Sequence, residues 1–362
     1  MMANSHQSMN ELLDRVDTAP DLSRLRGTFE GRSLLITGAG GSIGAELSET
    51  LLQMHPRKLV LLELSEDALY RVSMRLGEVA ASMSRTPEIV PIIGSVCDER
   101  LLDHLFSHSR PAIIFHAAAF KHVPLMEQNR FAVMANNSVG THTLASAALR
   151  GGAGQLILIS TDKAVNPTSI MGASKRIAEV ILLSLSTPET HMTSVRLCNV
   201  LGSRGSVMPL FKEQIGRGGP VTVTHPEVRR YFLTIKEAVH RILTGAALDI
   251  PGRILVPEMG ESIRLIDLAR ALIARHGEET AIVYTGLRPG DRLDEELISA
   301  EEQRGARTQG EFRMVSGPEI SPAELAAKID ELEHATQMFD EALLMQSLHE
   351  LVPEYNPAVE VV

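Results

Sequence analysis

Asp162 and Lys163 are neighbours in the segment Ser160-Thr-Asp-Lys-Ala-Val-Asn-Pro-Thr-Ser-Ile-Met-Gly-Ala-Ser-Lys175, which sets an acid and a base side by side. Such a pair can give and take protons at adjoining atoms of one substrate. The alternative is an ordinary Asp-Lys surface turn. Twelve residues on, Lys175 follows Met171 by four positions, so in a helix both share one face. A tyrosine one helical turn before a lysine is another common proton-transfer device, and the chain has none. Its 4 tyrosines, Tyr70, Tyr231, Tyr284 and Tyr355, are followed four places later by Met74, Ile235, Arg288 and Val359.

A second group of residues has the chemistry of a nucleotide site. Thr37-Gly-Ala-Gly-Gly-Ser-Ile-Gly44 follows an apolar run and opens a helical pattern. Gly38, Gly41 and Gly44 let the backbone approach a pyrophosphate, and the first amides of the helix, at Ser42 and Ile43, attract its negative charge. Glu63 ends the next apolar run, where a carboxylate can accept both hydroxyls of an adenosine ribose. No Arg or Lys follows it until Arg71, so a 2'-phosphate would meet repulsion without a basic partner, and NAD is expected rather than NADP. Asp98 could hold the adenine amino group, with a turn cap as the alternative. In His116-Ala-Ala-Ala119 the small residues Ala117 and Ala118 suit a chain passing close beneath a cofactor. Lys121 is expected near the substrate, and His122 in a solvated or packing role.

These residues need elements to hold them. Short apolar runs at 33–37, 58–62, 89–93, 112–115, 155–159 and 193–197 alternate with helical periodicity, as over 43–54 and 175–185. That predicts an α/β fold, a Rossmann-type doubly wound parallel sheet covered on both faces. From about Gly202 the elements shorten, with a turn at 216–220 and an amphipathic helix at 265–275. The expected organisation is a connector over 1–30, an NAD-binding domain over 31–201, a smaller C-terminal α/β substrate-binding annex over 202–300 interleaved with it, and a mostly helical tail over 301–362.

Composition bounds the rest. At 362 residues, 44% hydrophobic and 22% charged, the chain suits one large domain with an annex. It has no run long enough for a membrane span and no signal pattern at its start, so a cytoplasmic protein is expected. Two cysteines, Cys97 and Cys198, make neither a disulfide framework nor a thiolate zinc site, and no metal is expected. A net charge of -10 argues against a nucleic-acid partner.

The glycine turn 37–44, Phe115-His-Ala-Ala-Ala-Phe-Lys-His-Val-Pro124, Asn136-Asn-Ser-Val-Gly-Thr141, the stretch 162–175 and Gly202-Ser-Arg-Gly-Ser-Val207 together resemble the extended short-chain dehydrogenase/reductase superfamily. Within it, they look like the UDP-N-acetylglucosamine 4,6-dehydratases of bacterial polysaccharide and glycan synthesis. Met171 occupies the place of the superfamily's usual catalytic Tyr, as in the large membrane-anchored members. Glu11-Leu-Leu-Asp14 and Asp21-Leu-Ser-Arg24 look like the connector to the membrane part of those members, a part not found in this sequence. The resemblance implies that NAD takes hydride from carbon 4 of the sugar, that water is lost across carbons 5 and 6, and that the hydride returns to carbon 6. It implies Lys163 as base and Asp162 as acid, which requires a neutral lysine and a protonated aspartic acid. Lys175 would hold the nicotinamide ribose, and Thr161 or Ser160, or a water, would take the carbon 4 hydroxyl proton that Met171 cannot. Arg230, Arg288 and Asn199 match positions at the substrate diphosphate, while Cys198 stands where the pattern has Gly. Retention at carbon 5 is expected. Inversion at carbon 5, 4-epimerisation and a silent NAD-binding regulator are the alternatives. Such folds commonly pair with copies of themselves, so a homo-oligomer is expected.

Overall fold

A computed structural model describes residues 22–203, 205–276 and 279–357. Most of the expected connector, and Arg204 of the 202–207 motif, lie outside them. The central sheet has nine strands in the order β14-β15-β11-β6-β5-β4-β1-β2-β3. These are β1 (Ser33–Thr37), β2 (Lys58–Glu63), β3 (Glu88–Ile93), β4 (Ile113–His116), β5 (Gln155–Thr161), β6 (His191–Leu197), β11 (Arg253–Pro257), β14 (Arg307–Gln309) and β15 (Phe312–Val315). From β3 to β11 every pairing is parallel, and β15 and β14 close that edge antiparallel. Order 3-2-1-4-5-6 is that of a doubly wound nucleotide-binding fold, with the crevice outside the carboxyl ends of β1 and β4 where the winding reverses.

Side-chain alternation builds a core on each face. On β1, Leu34 and Ile36 enter one buried cluster with Leu47, Leu51 and Ile242, whereas Leu35 enters the other with Leu144, Ile177 and Leu332. All five β1 residues are buried, as a strand covered on both sides requires. The helices Ser42–Leu52, Glu66–Ala81 and Ile235–Leu248 cover the first face. The helices Glu99–Ser109, Gly140–Arg150, Ile170–Leu185, Pro322–Met338 and Glu341–Leu351 cover the second. Within the expected connector, residues 22–29 are helical and Phe29 is fully buried, its ring 6.0 Å from that of Phe115.

The annex has three two-stranded ladders. They pair β7 (Asn199–Val200) with β10 (Phe232–Leu233), β8 (Val221–Val223) with β13 (Ile282–Tyr284), and β9 (Arg229–Arg230) with β12 (Ile263–Arg264). Its own core joins Met208, Phe211, Ile215, Leu268 and Leu272 from the helices Val207–Gly216 and Leu265–His276 with Val223 of β8. The chain does not divide cleanly at 202 and 301, because β11, β14 and β15 return to the main sheet.

One helix starts earlier than its apolar periodicity implies. Expected over 175–185, it begins at Ile170 because Ser169 caps it, accepting a hydrogen bond from the Gly172 amide at 3.0 Å. Met171 and Lys175 therefore sit a turn apart on this buried helix.

Candidate active site

The carboxyl ends of β1, β4, β5 and β6 and the annex enclose a cleft of about 660 Å³. Of the residues singled out above, Gly38, Gly41, Ser42, Ile43, Gly44, Ala117, Lys121, Ser160, Thr161, Lys163, Met171, Lys175, Asn199, Arg230 and Arg288 line it. Glu63, Asp98, Ala118 and Asp162 do not.

The glycine turn wraps tightly around the start of its helix. Gly38 has φ +67°, and a Cβ there would lie 2.6 Å from the Ala118 amide nitrogen, so this position accepts only glycine. A Cβ on Gly44 would sit 2.1 Å from the Gly38 carbonyl oxygen. Ala118 thus serves from behind, as the backbone on which the turn rests. Ser42, Ile43 and Gly44 form the first turn of the helix Ser42–Leu52 and line the cleft. Glu63 accepts hydrogen bonds from the Gly40 amide at 2.9 Å and the Ser65 amide at 3.0 Å, fixing the rim of the turn. Asp98 lies away from the cleft and caps the helix Glu99–Ser109, accepting from the Leu101 amide at 3.0 Å. This is the capping role that the sequence offered beside a contact to an adenine ring.

Asp162 is fully buried, and Lys163 has 23% of its side chain exposed on the cleft wall. The Lys163 Nζ donates to Asp162 Oδ1 at 3.0 Å and lies 3.4 Å from Glu295 Oε1. Burial alone would lower the Lys163 pKa, yet the carboxylates of Asp162 and Glu295 outweigh it and hold the lysine above its ordinary value, with Arg230 opposing them. The neutral lysine that the expected base role requires is thus opposed by both carboxylates. Thr161 Oγ1 donates to Asp162 Oδ1 at 2.9 Å, while Asp162 Oδ2 is buried without a hydrogen bond among the described residues.

Ser160 has a different duty from the one expected. Its hydroxyl donates at 2.7 Å to the fully buried Glu179, which leaves Thr161 as the cleft-lining hydroxyl that reaches Asp162. Lys175 is buried and donates from Nζ to the Ile159 carbonyl at 2.8 Å. Burial lowers its pKa to about 8 although Glu179 pulls the other way. Met171 is 3% exposed and contributes an apolar wall.

On the annex side, Arg230 is 11% exposed. Its guanidinium donates to the carbonyls of Arg229, Leu293 and Arg292 at 2.7, 3.0 and 2.8 Å and lies 3.5 Å from Glu295. Arg288 is 57% exposed and paired with Asp291 at 2.9 Å. Asn199 donates to the Tyr231 carbonyl at 3.4 Å. Cys198 is buried in contact with Asn199 and Met259, in keeping with a packing role. Lys121 and His122 are exposed at the mouth.

Four residues that sequence reasoning passed over hold this arrangement together. His116 at the end of β4 bridges Thr37 Oγ1 at 2.7 Å and Thr141 Oγ1 at 2.9 Å, and burial pushes its pKa down to about 3, so it is a neutral strut. Asn137 exchanges two 2.9 Å bonds with the Phe120 backbone and donates to Ser174 Oγ at 2.9 Å, tying the 117–120 loop to the helix that carries Met171 and Lys175. His116 and Asn137 fall inside the quoted motifs and could have been found there. Glu295 carries no local signal, because Lys163 and Arg230 lie far off in the sequence, and Glu179 has only Arg176 nearby, its other partners Ser160, Arg196 and the cluster with Glu302 coming from other elements.

A family model described as polysaccharide biosynthesis protein matches residues 34–316. The chain belongs to this polysaccharide biosynthesis protein family. The capsular polysaccharide biosynthesis protein CapD of Staphylococcus aureus is 42% identical over 299 residues, covering 81% of this chain and 49% of that relative, so the chain spans about half of its length. A UDP-N-acetylglucosamine 4,6-dehydratase (inverting) of Campylobacter jejuni is 30% identical over 280 residues, 76% of this chain and 79% of the relative. Among solved structures, Pen from Bacillus thuringiensis superposes with TM-score 0.75 at 28% identity, over 81% of this chain and 92% of that one. The family member described here thus has the α/β fold of the extended short-chain dehydrogenase/reductases. Among its described residues no helix is long and apolar enough to cross a membrane, and no cluster of His, Cys, Asp and Glu could hold a metal ion.

Proposed function

We propose that the protein is a nucleotide-sugar 4,6-dehydratase that uses NAD and converts UDP-N-acetylglucosamine, or a close UDP-sugar, to its 4-keto-6-deoxy form with retention at carbon 5. The observation that carries the reading is Lys163 on the wall of the cleft that the glycine turn also lines, hydrogen-bonded to Asp162 buried behind it. Likeness to a dehydratase at 30% identity supports the reaction class. The close seat of Gly38 on Ala117 and Ala118, the first-turn amides and Lys175 fit a dinucleotide. When bound, NAD supplies hydride acceptance at carbon 4 and hydride return at carbon 6.

The chain's own residues account for the protons. Thr161 Oγ1, already donating to Asp162 Oδ1, passes the carbon 4 hydroxyl proton to Asp162, which Met171 could not accept. Asp162, now neutral, returns that proton through the cleft-lining Thr161 hydroxyl to the departing carbon 6 hydroxyl, which leaves as water. Neutralising Asp162 also removes one of the two carboxylates that keep Lys163 charged, so Nζ, partly exposed on the cleft, releases one proton to solvent to become the amine and regains it from solvent after turnover. As the amine, Lys163 Nζ takes the carbon 5 proton and later returns it from the same side. One base on one face gives retention. Lys175 as an ammonium orients the nicotinamide ribose, and Arg230, Arg288 and Asn199 bind the diphosphate, guanidinium being suited to bidentate phosphate contacts.

A proton NMR time course with UDP-N-acetylglucosamine in deuterated water, with and without added NAD, tests this. A new upfield methyl signal with deuterium entering at carbon 5 is expected, and the product couplings report its configuration. A change at carbon 4 without a methyl signal would make the protein an epimerase. No change in either sample would overturn the substrate assignment.

A further inference from the structure

The loop that follows β13 folds over the segment carrying the acid–base pair. Thr168 Oγ1 donates to the Gly290 carbonyl at 3.3 Å, Arg292 donates to Thr168 Oγ1 at 3.1 Å and to the Val165 carbonyl at 3.0 Å, and Asn166 donates to Glu296 at 2.9 Å. In this stitched loop Glu295 is the buried member, with 4% of its side chain exposed. Its Oε1 lies 3.4 Å from Lys163 Nζ and 3.5 Å from Arg230 Nε, so one carboxylate oxygen faces both the candidate base and a candidate diphosphate ligand. A buried carboxylate stripped of its cations is strongly disfavoured, so at least one of the two must stay with it.

We propose that Glu295 is a positioning residue that fixes Lys163 against Asp162, keeps it an ammonium in the resting site, and sets the pH above which it becomes the amine. The charged groups facing Lys163 are Asp162 from its own segment, Glu295 from the loop and Arg230 from β9. Of these only Glu295 joins the base to the substrate clamp. When a substrate diphosphate draws Arg230, the Glu295 carboxylate rests on Lys163 alone, so clamp occupancy and the charge of the base are linked through one side chain. The upward shift of the Lys163 pKa by its two carboxylates agrees with this placement. The mechanistic consequence rests on the dehydratase reading, whereas the electrostatic one does not.

The test compares wild type, Glu295→Gln and Glu295→Asp. Trace acetylation with acetic anhydride across pH 7 to 11, read at Lys163 by peptide mass spectrometry, reports the neutral amine without requiring turnover. Half-labelling in Glu295→Gln is expected at a pH lower by about one or more than in wild type, with Glu295→Asp close to wild type. In turnover of UDP-N-acetylglucosamine, the acid limb of kcat should move the same way in Glu295→Gln, and KM should change because Arg230 has lost a partner. Unchanged labelling in a Glu295→Gln protein with wild-type circular dichroism would overturn the proposal, as would a loss of kcat at every pH with no displacement of its limb. If wild type itself does not turn over, the dehydratase reading fails while the labelling comparison still decides the role of Glu295.

Discussion

Replacing Arg196 with Met should destabilise the fold by about 3–5 kcal/mol, the usual cost of removing one partner from a buried ion pair. Arg196 is fully buried, and all of its N–H groups are used. Nε and Nη2 donate to Glu179 at 2.8 Å each, Nη1 and Nη2 to Glu302 at 2.8 and 2.7 Å, and Nη1 to the Leu297 carbonyl at 3.1 Å. Without it, the cation left to Glu179 and Glu302 among the described residues is Arg176, at 3.1 and 3.0 Å, which also serves Glu354. An independent estimate comes from Glu302. Burial would raise its pKa, but Arg196 and Arg176 bring it down to about 2 from an ordinary 4.5, a difference of roughly 3 kcal/mol. Since the folded value is the depressed one, that stability is present above about pH 4.5 and is lost as pH falls toward 2. Equilibrium urea unfolding at pH 7 reads the effect. With a slope of about 3 kcal/mol/M, the midpoint should drop by about 1 to 1.7 M. The acid loss of stability between pH 4.5 and 2 should also be smaller in the variant than in wild type. A midpoint change below about 0.3 M at unchanged slope would refute the argument that the cluster is held by this guanidinium.

Other consequences can be checked in the same preparations. Gly44→Ala should abolish NAD binding measured by calorimetry, because its Cβ would collide with the Gly38 carbonyl, whereas Gly77→Ala, where nothing lies within 4 Å, should bind NAD as wild type does and gain up to about 1 kcal/mol from helix propensity. NAD affinity should weaken as pH rises through about 8, where buried Lys175 loses its proton, and this dependence should vanish in Lys175→Met. Asp162→Asn and Lys163→Met should each lower dehydration by at least about 10²-fold while binding NAD normally, and near-normal turnover in both would remove the pair from the mechanism.

Local chemistry was legible in the sequence wherever one segment both states and satisfies its own requirement. β1 and the glycine turn are an example, since an apolar run, glycines and a helix start lie within twelve residues and need only one another. The same holds for β2, β4, β5 and β6, whose continuous apolar runs reflect burial on both faces, while the edge strand β3 is only partly covered. The tail was less legible. Its Glu, Ala and Leu content reads as helix, but Arg307–Gln309 and Phe312–Val315 form a hairpin around Gly310, whose φ of +58° turns the chain. That glycine was the available signal, and Phe312 and Val315 bury against the sheet only because β11 offers an edge.

Charge state was the least legible property, and the reason is physical. Whether Lys163 is amine or ammonium depends on the sum of burial and every charge within a few ångströms, and only Asp162 is adjacent in the chain. Glu295 and Arg230 arrive through the annex, just as Arg196 meets Glu302 across 106 residues. An Asp-Lys dipeptide therefore specifies which groups can exchange a proton, while the return of distant segments specifies where the proton rests. Both carboxylates favour the charged lysine, so in the proposed reaction Lys163 becomes a base more readily once one of its two counter-charges is weakened. In the proposed reaction that event is the loss of the carbon 4 hydroxyl proton, for which the hydrogen bond from Thr161 to Asp162 Oδ1 offers a route.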